Sequence, residues 1–398
     1  MRILHTSDWH LGRSFHGVGL LDAQAAFLDH LVATVAEEKV DLVLVSGDVH
    51  DRALPPVDAV RLADDLLARL ATTGARTVVT SGNHDSAIRL GFNSRLADHA
   101  GVHLRTRWQA VGDPVLVDDA HGTVAVHGIP YLEPDAVREA WDLPARTHEA
   151  ALGAAMERVR ADLTARGPVR SVVMAHAFVA GSPDAAPAMA SDSERDVSVG
   201  GVQIAPTSLF DGVSYTALGH LHRAAELTDG VRYSGSPIAY SFSEAGHTKG
   251  SWLVELGARG VERADFVPAP VPRAVRRLRG RLDDLLTDAS LADAEDAWLA
   301  VALTDPRRPR LAMERLRSRF PHTLTLAFEP EGASAAAPLL PHVTGRSDLD
   351  VALGFVQEVR ELEATTEEAL LLQLACDSCH SNVDPDADER IDSSGEAV

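Results

Sequence analysis

A chain of 398 residues suits two or three domains of ~150 residues each, and a 45% hydrophobic content suits a globular chain with a sizeable core. Two cysteines exclude a disulfide framework and fit a reducing compartment, and no apolar stretch is long enough to span a bilayer. The net charge of −21 opposes binding to nucleic acid, but carboxylates that hold divalent cations invert the local field, and much of the remaining acid lies between Asp377 and Glu396; the charge implies weak binding and does not exclude such a substrate.

The opening, Met1-Arg2-Ile3-Leu4-His5, runs straight into a strand rather than a signal peptide, so a cytoplasmic location is expected. Leu28, Leu31, Val32 and Val35 recur at helical spacing, and Leu42-Val43-Leu44-Val45 reads as a buried strand. Ala63, Leu66, Leu67 and Leu70 mark the next helix, and Thr77-Val78-Val79 the next strand. This β-α-β-α-β order predicts a sheet with right-handed crossovers and helices on its faces. After Gly101 the pattern is richer in strands, at 123–129, 170–175, 213–218, 231–234 and 251–256. The expected fold class is therefore α/β, a layered sandwich of two sheets over residues 1–266.

Pro268, Pro270 and Pro272 form a stiff linker. Beyond it, alternation at Leu299, Val301 and Leu303 and at Leu324, Leu326 and Phe328 brackets helical spacing at Leu311, Leu316 and Phe320, which predicts a small α/β unit within a second domain, 273–345. Ser347 with Asp350, and Thr365 with Glu368, have the spacing of capping boxes that open two helices in the segment 346–376. From 377 to 398 the chain is acidic and polar, the composition of a disordered tail.

Five segments carry chemistry: Asp8-Trp9-His10, Gly47-Asp48-Val49-His50-Asp51, Gly82-Asn83-His84-Asp85, Ala175-His176-Ala177 and Gly219-His220-Leu221-His222. Each follows an apolar run, so each sits just past a strand end, where α/β sheets place ligand sites. Taken singly, an Asp or Asn beside Gly is ordinary turn chemistry; five such motifs in order, all at strand ends, point instead to one site. Hydrolysis of an anionic phosphodiester needs neutralised charge, an activated water and a stabilised leaving oxygen, and two divalent ions ~3.5–4 Å apart supply all three. Imidazole and carboxylate donors without thiolate favour manganese, iron or zinc over magnesium, and Asp48 has a carboxylate able to bridge two ions.

These motifs, and above all the opening Met-Arg-Ile-Leu-His-Thr-Ser-Asp-Trp-His-Leu-Gly-Arg, resemble the calcineurin-like metallophosphoesterase superfamily and, within it, the nuclease family of the bacterial SbcCD type, relatives of archaeal and eukaryotic double-strand-break repair nucleases. The resemblance covers residues 1 to about 266 and continues less sharply beyond. It implies a DNA nuclease with exonuclease action on duplex ends and endonuclease action on hairpins or single strands, with two divalent ions, manganese foremost. One ion would be held by Asp8, His10, Asp48 and His222, the other by Asp48, Asn83, His176 and His220. His84 is implied as a catalytic group at the scissile phosphate rather than a ligand; Asp85 either orients His84 or caps the following turn. The domain 273–345 would cap the active site, and the C-terminal helices would dock on the coiled-coil base of an SbcC-type ABC ATPase. A homodimer of nuclease subunits, within a heterotetramer, is implied as well. ATP would be used by the partner, since the chain lacks a GxxxxGK[ST] loop.

Two other readings on the same residues stay open: a small-molecule phosphodiesterase or phosphatase of the superfamily, and a non-catalytic scaffold for the ATPase. The presence of His84 and the ~130 residues after the linker favour the nuclease. His50 stands where bacterial relatives usually have an aromatic residue, and a packing role is expected for it. The run Arg273, Arg276, Arg277, Arg279 and Arg281 could meet phosphates or be a solvated face. Cys376, Cys379 and His380 match a haem-attachment or zinc spacing, read as incidental because no export signal precedes them.

Overall fold

A computed structural model describes residues 1–181, 191, 192, 194, 204–331, 346–360 and 362–381. The chain forms two compact units, Met1–Pro330 and Glu331–Val398. Two six-stranded mixed sheets dominate the first. One runs, in spatial order, Val261–Pro268, Gly250–Leu256, Arg2–Thr6, Leu42–Ser46, Arg76–Thr80 and Val102–Leu104. The other runs Ala225–Thr228, Val231–Tyr233, Tyr215–Gly219, Arg170–His176, Gly122–Ile129 and Val115–Asp119. Parallel pairs occupy the middle of both; antiparallel strands close both edges of the second sheet and one edge of the first, whose other edge, Val102–Leu104, is parallel.

The continuous apolar run Leu42-Val43-Leu44-Val45 follows from burial on both faces. Leu42 and Leu44 point between the sheets, with Ile3 and Val78, against Val126, Val172, Met174 and Ala217. Val43 and Val45 point outward, beneath helices Leu21–Glu37 and Val57–Thr73. The second sheet presents Val173, Ala175 and Leu218 to helix His148–Arg166. The result is a four-layer α/β/β/α sandwich, the expected class. Helix His148–Arg166 has no strong apolar stripe in the sequence, because much of its buried face is alanine, Ala151 and Ala155 beside Leu152, Met156 and Val159.

After the prolines, Val275–Gly280, Trp298–Leu303 and Thr323–Phe328 form a three-stranded parallel sheet with helix Ala312–Arg319. Phe15, Tyr240 and Phe242 of the large sandwich pack with Val275 and Trp298 of this sheet. Residues 332–345 of the expected capping domain lie outside the described residues. In the second unit, helices Asp348–Arg360 and Thr366–Ser381 each start on the anticipated box: Ser347 Oγ donates to Asp350 Oδ2 (2.6 Å) while the Asp350 N–H returns to Ser347 Oγ (3.2 Å), and Glu368 Oε2 accepts from the Thr365 N–H (3.0 Å). The last helix continues through Cys376 and Cys379 to Ser381, past the boundary expected at 377. The rest of the acidic tail, 382–398, lies outside the described residues.

Candidate metal centre

All five motifs meet at the C-terminal ends of the central parallel strands of both sheets. Asp8 and His10 follow Arg2–Thr6, Asp48 follows Leu42–Ser46, and Asn83 follows Arg76–Thr80; His176 ends Arg170–His176 and His220 follows Tyr215–Gly219. Beyond the strands the first two loops stay paired, His10 N–H to Asp48 O at 2.9 Å and Leu11 N–H to Val49 O at 2.9 Å. Asp8, His10, Asp48 and His220 have φ of 54°, 44°, 49° and 102°. Such backbone costs on the order of 1–3 kcal/mol per residue and survives only where the surroundings impose it, as at ligand sites. Two glycines permit the approach of the loops. A Cβ on Gly82 would stand 2.1 Å from Asp48 Oδ1, and one on Gly47, itself at φ +87°, 2.3 Å from His176 Nδ1.

Asp48 is at the centre. Its Oδ2 lies 3.3 Å from His176 Nε2 and 3.5 Å from His10 Nε2, while Oδ1 accepts the His84 N–H at 2.9 Å. His10 Nε2 faces His222 Nε2 at 3.1 Å. On the other side Asn83 Oδ1 lies 3.0 Å from His176 Nε2 and 3.2 Å from His220 Nδ1. Asp8 accepts the His220 N–H at 3.0 Å. Donor atoms of Asp8, His10 and His222 lie within 4.8 Å of one another, as do those of Asp8, Asp48 and His176, and of His10, Asp48 and His84. Converging carboxylates and imidazoles, almost all buried, suit divalent cations. His220 joins the cluster through Asn83, and His84 stands beside His10 and Asp48.

The charges are strongly coupled. Burial pushes the Asp8 carboxyl up to about 6 against the pull of His176 and His222. Burial also opposes ionisation of Asp48, but His176 and His10 outweigh it and hold the carboxyl well below its usual range. Burial opposes charge on His176 too; Asp48 outweighs it and raises the imidazole to about 9. His220, by contrast, is lowered to about 3 by burial and by His176.

Residues around the cluster set its shape. Asp85 neither holds the His84 ring nor caps the next turn: its carboxylate accepts N–H groups from Val49 (3.0 Å), His50 (2.9 Å) and Gly82 (3.0 Å), tying two motif loops together. His84 is held through Nδ1 by the Asp51 carbonyl (2.8 Å), and the following turn is capped by Ser86. His50 flanks Asp85, with Nδ1 3.5 Å from Oδ1, and takes no place among the donors. Sequence reasoning missed Gln24, whose Nε2 donates to the carbonyls of Trp9 (3.1 Å) and His10 (2.7 Å), and Tyr240, which bonds the Trp9 carbonyl. It also missed Glu194 and Glu244 beside His222. The arginine run is largely neutralised, Arg273 by Asp296, Arg276 by Asp293, Arg277 by Asp192 and Arg279 by Glu329.

Residues 1–224 match the calcineurin-like phosphoesterase family, and residues 271–360 match SbcD_C, described as the type 5 capsule protein repressor C-terminal domain. Among solved structures, the chain is similar to TT1561 of Thermus thermophilus (13% identity, 67% of this chain and 98% of that chain covered, TM-score 0.39). It is also similar to a dimetal phosphatase from Danio rerio (14% identity, 58% of this chain and 86% of that chain covered, TM-score 0.36). Both stand as likenesses only. Among the described residues no helix is long and apolar enough to cross a membrane. The phosphoesterase family uses divalent metals, which the buried Asp and His donors fit. With more than half of its length matched, this chain belongs to the calcineurin-like phosphoesterase family.

Proposed function

We propose that this chain is the nuclease subunit of an SbcCD-type complex, a metal-dependent hydrolase of DNA phosphodiesters acting in DNA repair, replication and recombination in the cytoplasm. It would degrade duplex ends as an exonuclease and open hairpins or single strands as an endonuclease. The observation that carries the reading is the joint presence, in one chain, of a buried donor cluster in a calcineurin-like domain and of an SbcD_C match over residues 271–360.

In this reading Asp8, His10, Asp48 and His222 hold one ion and Asp48, Asn83, His176 and His220 the other, with manganese favoured. Such ions, when bound, neutralise the phosphate, activate a water and stabilise the leaving oxygen. The chain's own residues orient and move protons. Asp48 stands between His10 and His176, so one carboxylate serves both halves of the cluster. His84, tethered through Nδ1, keeps Nε2 available to give a proton to the departing oxygen. The domain 273–345 would serve as a cap, as the resemblance implies, and the helices of 346–376 would dock on the ABC ATPase; exposed Phe355, Leu370, Leu371 and Leu374 support such docking. Exposed Leu54, Val57, Ile88, Phe92 and Leu96 support a homodimer.

The test is cleavage of end-labelled hairpin DNA in manganese, with and without the ATPase partner and ATP, and with Asp48→Asn as control. Manganese-dependent cleavage that the substitution abolishes is expected. Hydrolysis of bis-p-nitrophenyl phosphate with the hairpin left intact would overturn the nuclease reading in favour of a small-molecule phosphodiesterase.

A further inference from the structure

The four imidazoles assigned to the two ions differ in what stands behind them; behind His10, Asp51 Oδ1 lies 3.7 Å from Nδ1, beyond hydrogen-bond reach. His176 has a neutral partner, Nδ1 lying 2.8 Å from the Ser46 carbonyl. His220 faces the donors through Nδ1, which meets Asn83. His222, whose Nε2 faces His10, turns Nδ1 to a carboxylate, Glu244 Oε1 at 3.3 Å. Glu244 is 1% exposed, and its other oxygen meets Lys249 Nζ at 2.5 Å, the Tyr240 N–H at 3.3 Å and Ser236 Oγ at 3.5 Å. Ser191 Oγ adds a further bond to Oε1 at 3.2 Å. Lys249, also buried, donates to the His222 carbonyl at 2.8 Å and to Ser236 Oγ at 2.9 Å. One cation thus grips both the backbone of His222 and the carboxylate behind its ring.

A carboxylate behind a metal-facing imidazole fixes the Nδ1–H tautomer and makes Nε2 a stronger donor than a carbonyl does. In the proposed assignment the same half has two carboxylates, Asp8 and Asp48, whereas the half of Asn83, His176 and His220 has Asp48 alone, although Asp8 also lies near His176. We propose that Glu244, paired with Lys249, is a positioning residue for His222 and makes the site of Asp8, His10, Asp48 and His222 the tighter of the two. This rests on the two-ion reading given above. A buried ion pair used only for packing is often replaceable by apolar residues at little cost; this pair also reaches a metal-facing ring.

The experiment counts bound manganese on the metal-free full-length protein by electron paramagnetic resonance titration, with thermal melting as a check of folding. Wild type is expected to show two classes of site. Glu244→Gln should weaken the tighter class 10–100-fold and leave the other within about twofold. Because Glu244→Gln strands a buried lysine, the double variant Glu244→Gln/Lys249→Met is the second arm; it should keep a wild-type melt and the same selective loss. Rescue of the tighter class by Glu244→Asp in part would mark the carboxylate, not packing, as the cause. Equal weakening of both classes, or wild-type affinity in the double variant, overturns the proposal while leaving the two-ion reading intact. No manganese bound by wild type overturns the two-ion reading itself, and this proposal with it.

Discussion

His84 Nδ1 lies 2.8 Å from the main-chain oxygen of Asp51. A carbonyl only accepts, so Nδ1 carries a proton and the ring is held against His10, centroids 4.6 Å apart. Nε2 is then the nitrogen left for the leaving oxygen. His84→Ala should therefore lower hairpin cleavage by about 10²–10⁴-fold. Hydrolysis of bis-p-nitrophenyl phosphate should fall far less, because nitrophenolate departs without a proton. The two assays on one preparation, with manganese content measured, check this; equal losses would sink the leaving-group role.

Protons should leave when metal binds. His176 sits at about 9 because Asp48 outweighs the effect of burial, and burial raises Asp8 to about 6. Both must be deprotonated to act as ligands. Manganese affinity is thus expected to fall as pH drops from 8 to 6. Calorimetry at pH 7 in buffers of different ionisation enthalpy should reveal release of about one proton or more. A buffer-independent enthalpy would contradict it.

What the sequence disclosed and what it hid have separate physical causes. Asp8, Asp48, Asn83, His176 and His220 were legible because each follows an apolar run that can only be a buried strand, and strand ends of parallel sheets converge. Both C-terminal caps were legible because Ser347–Asp350 and Thr365–Glu368 are local contacts. Glu244 and Lys249 were not: charged residues read as surface, and only the tertiary fold brings Glu244 to His222, 22 positions away. Asp85 left two local roles open, and its actual partners are Val49 and His50, on a loop 35 to 36 positions earlier, as well as Gly82.

That bracing has a measurable weight. Asp85→Ala would leave three N–H groups at the loop junction without their acceptor, at a cost of about 2–4 kcal/mol once relaxation and entering water are allowed for. The melting temperature should drop by several degrees, at ~2–4 °C per kcal/mol for a domain of this size. Asp85→Asn, which keeps oxygen and shape, should recover part of the loss. Manganese affinity should fall as well, since Gly82 and Val49 flank Asn83 and Asp48. Differential scanning calorimetry of the three proteins checks the order wild type, Asn, Ala.

Far from the cluster, Arg170 opens the strand that ends at His176, and its guanidinium meets Asp119, with Nη1 2.9 Å from Oδ2. This contact, helped by the Met1 ammonium at 3.0 Å and the His121 N–H at 2.8 Å, outweighs burial and holds the Asp119 carboxyl well below its usual range. A carboxyl lowered in the folded state contributes stability that is complete above its unfolded value, near 4, and is lost as pH falls through the folded value. Asp119→Asn should therefore cost about 2 kcal/mol at pH 7, in line with a hydrogen bond to a charged group. The gap between the two proteins should narrow steadily below pH 4, where the carboxyl of the unfolded wild-type chain begins to take up a proton. Melting temperatures of both proteins from pH 3 to 7 measure it. A gap independent of pH would mean that Asp119 acts through its shape rather than its charge.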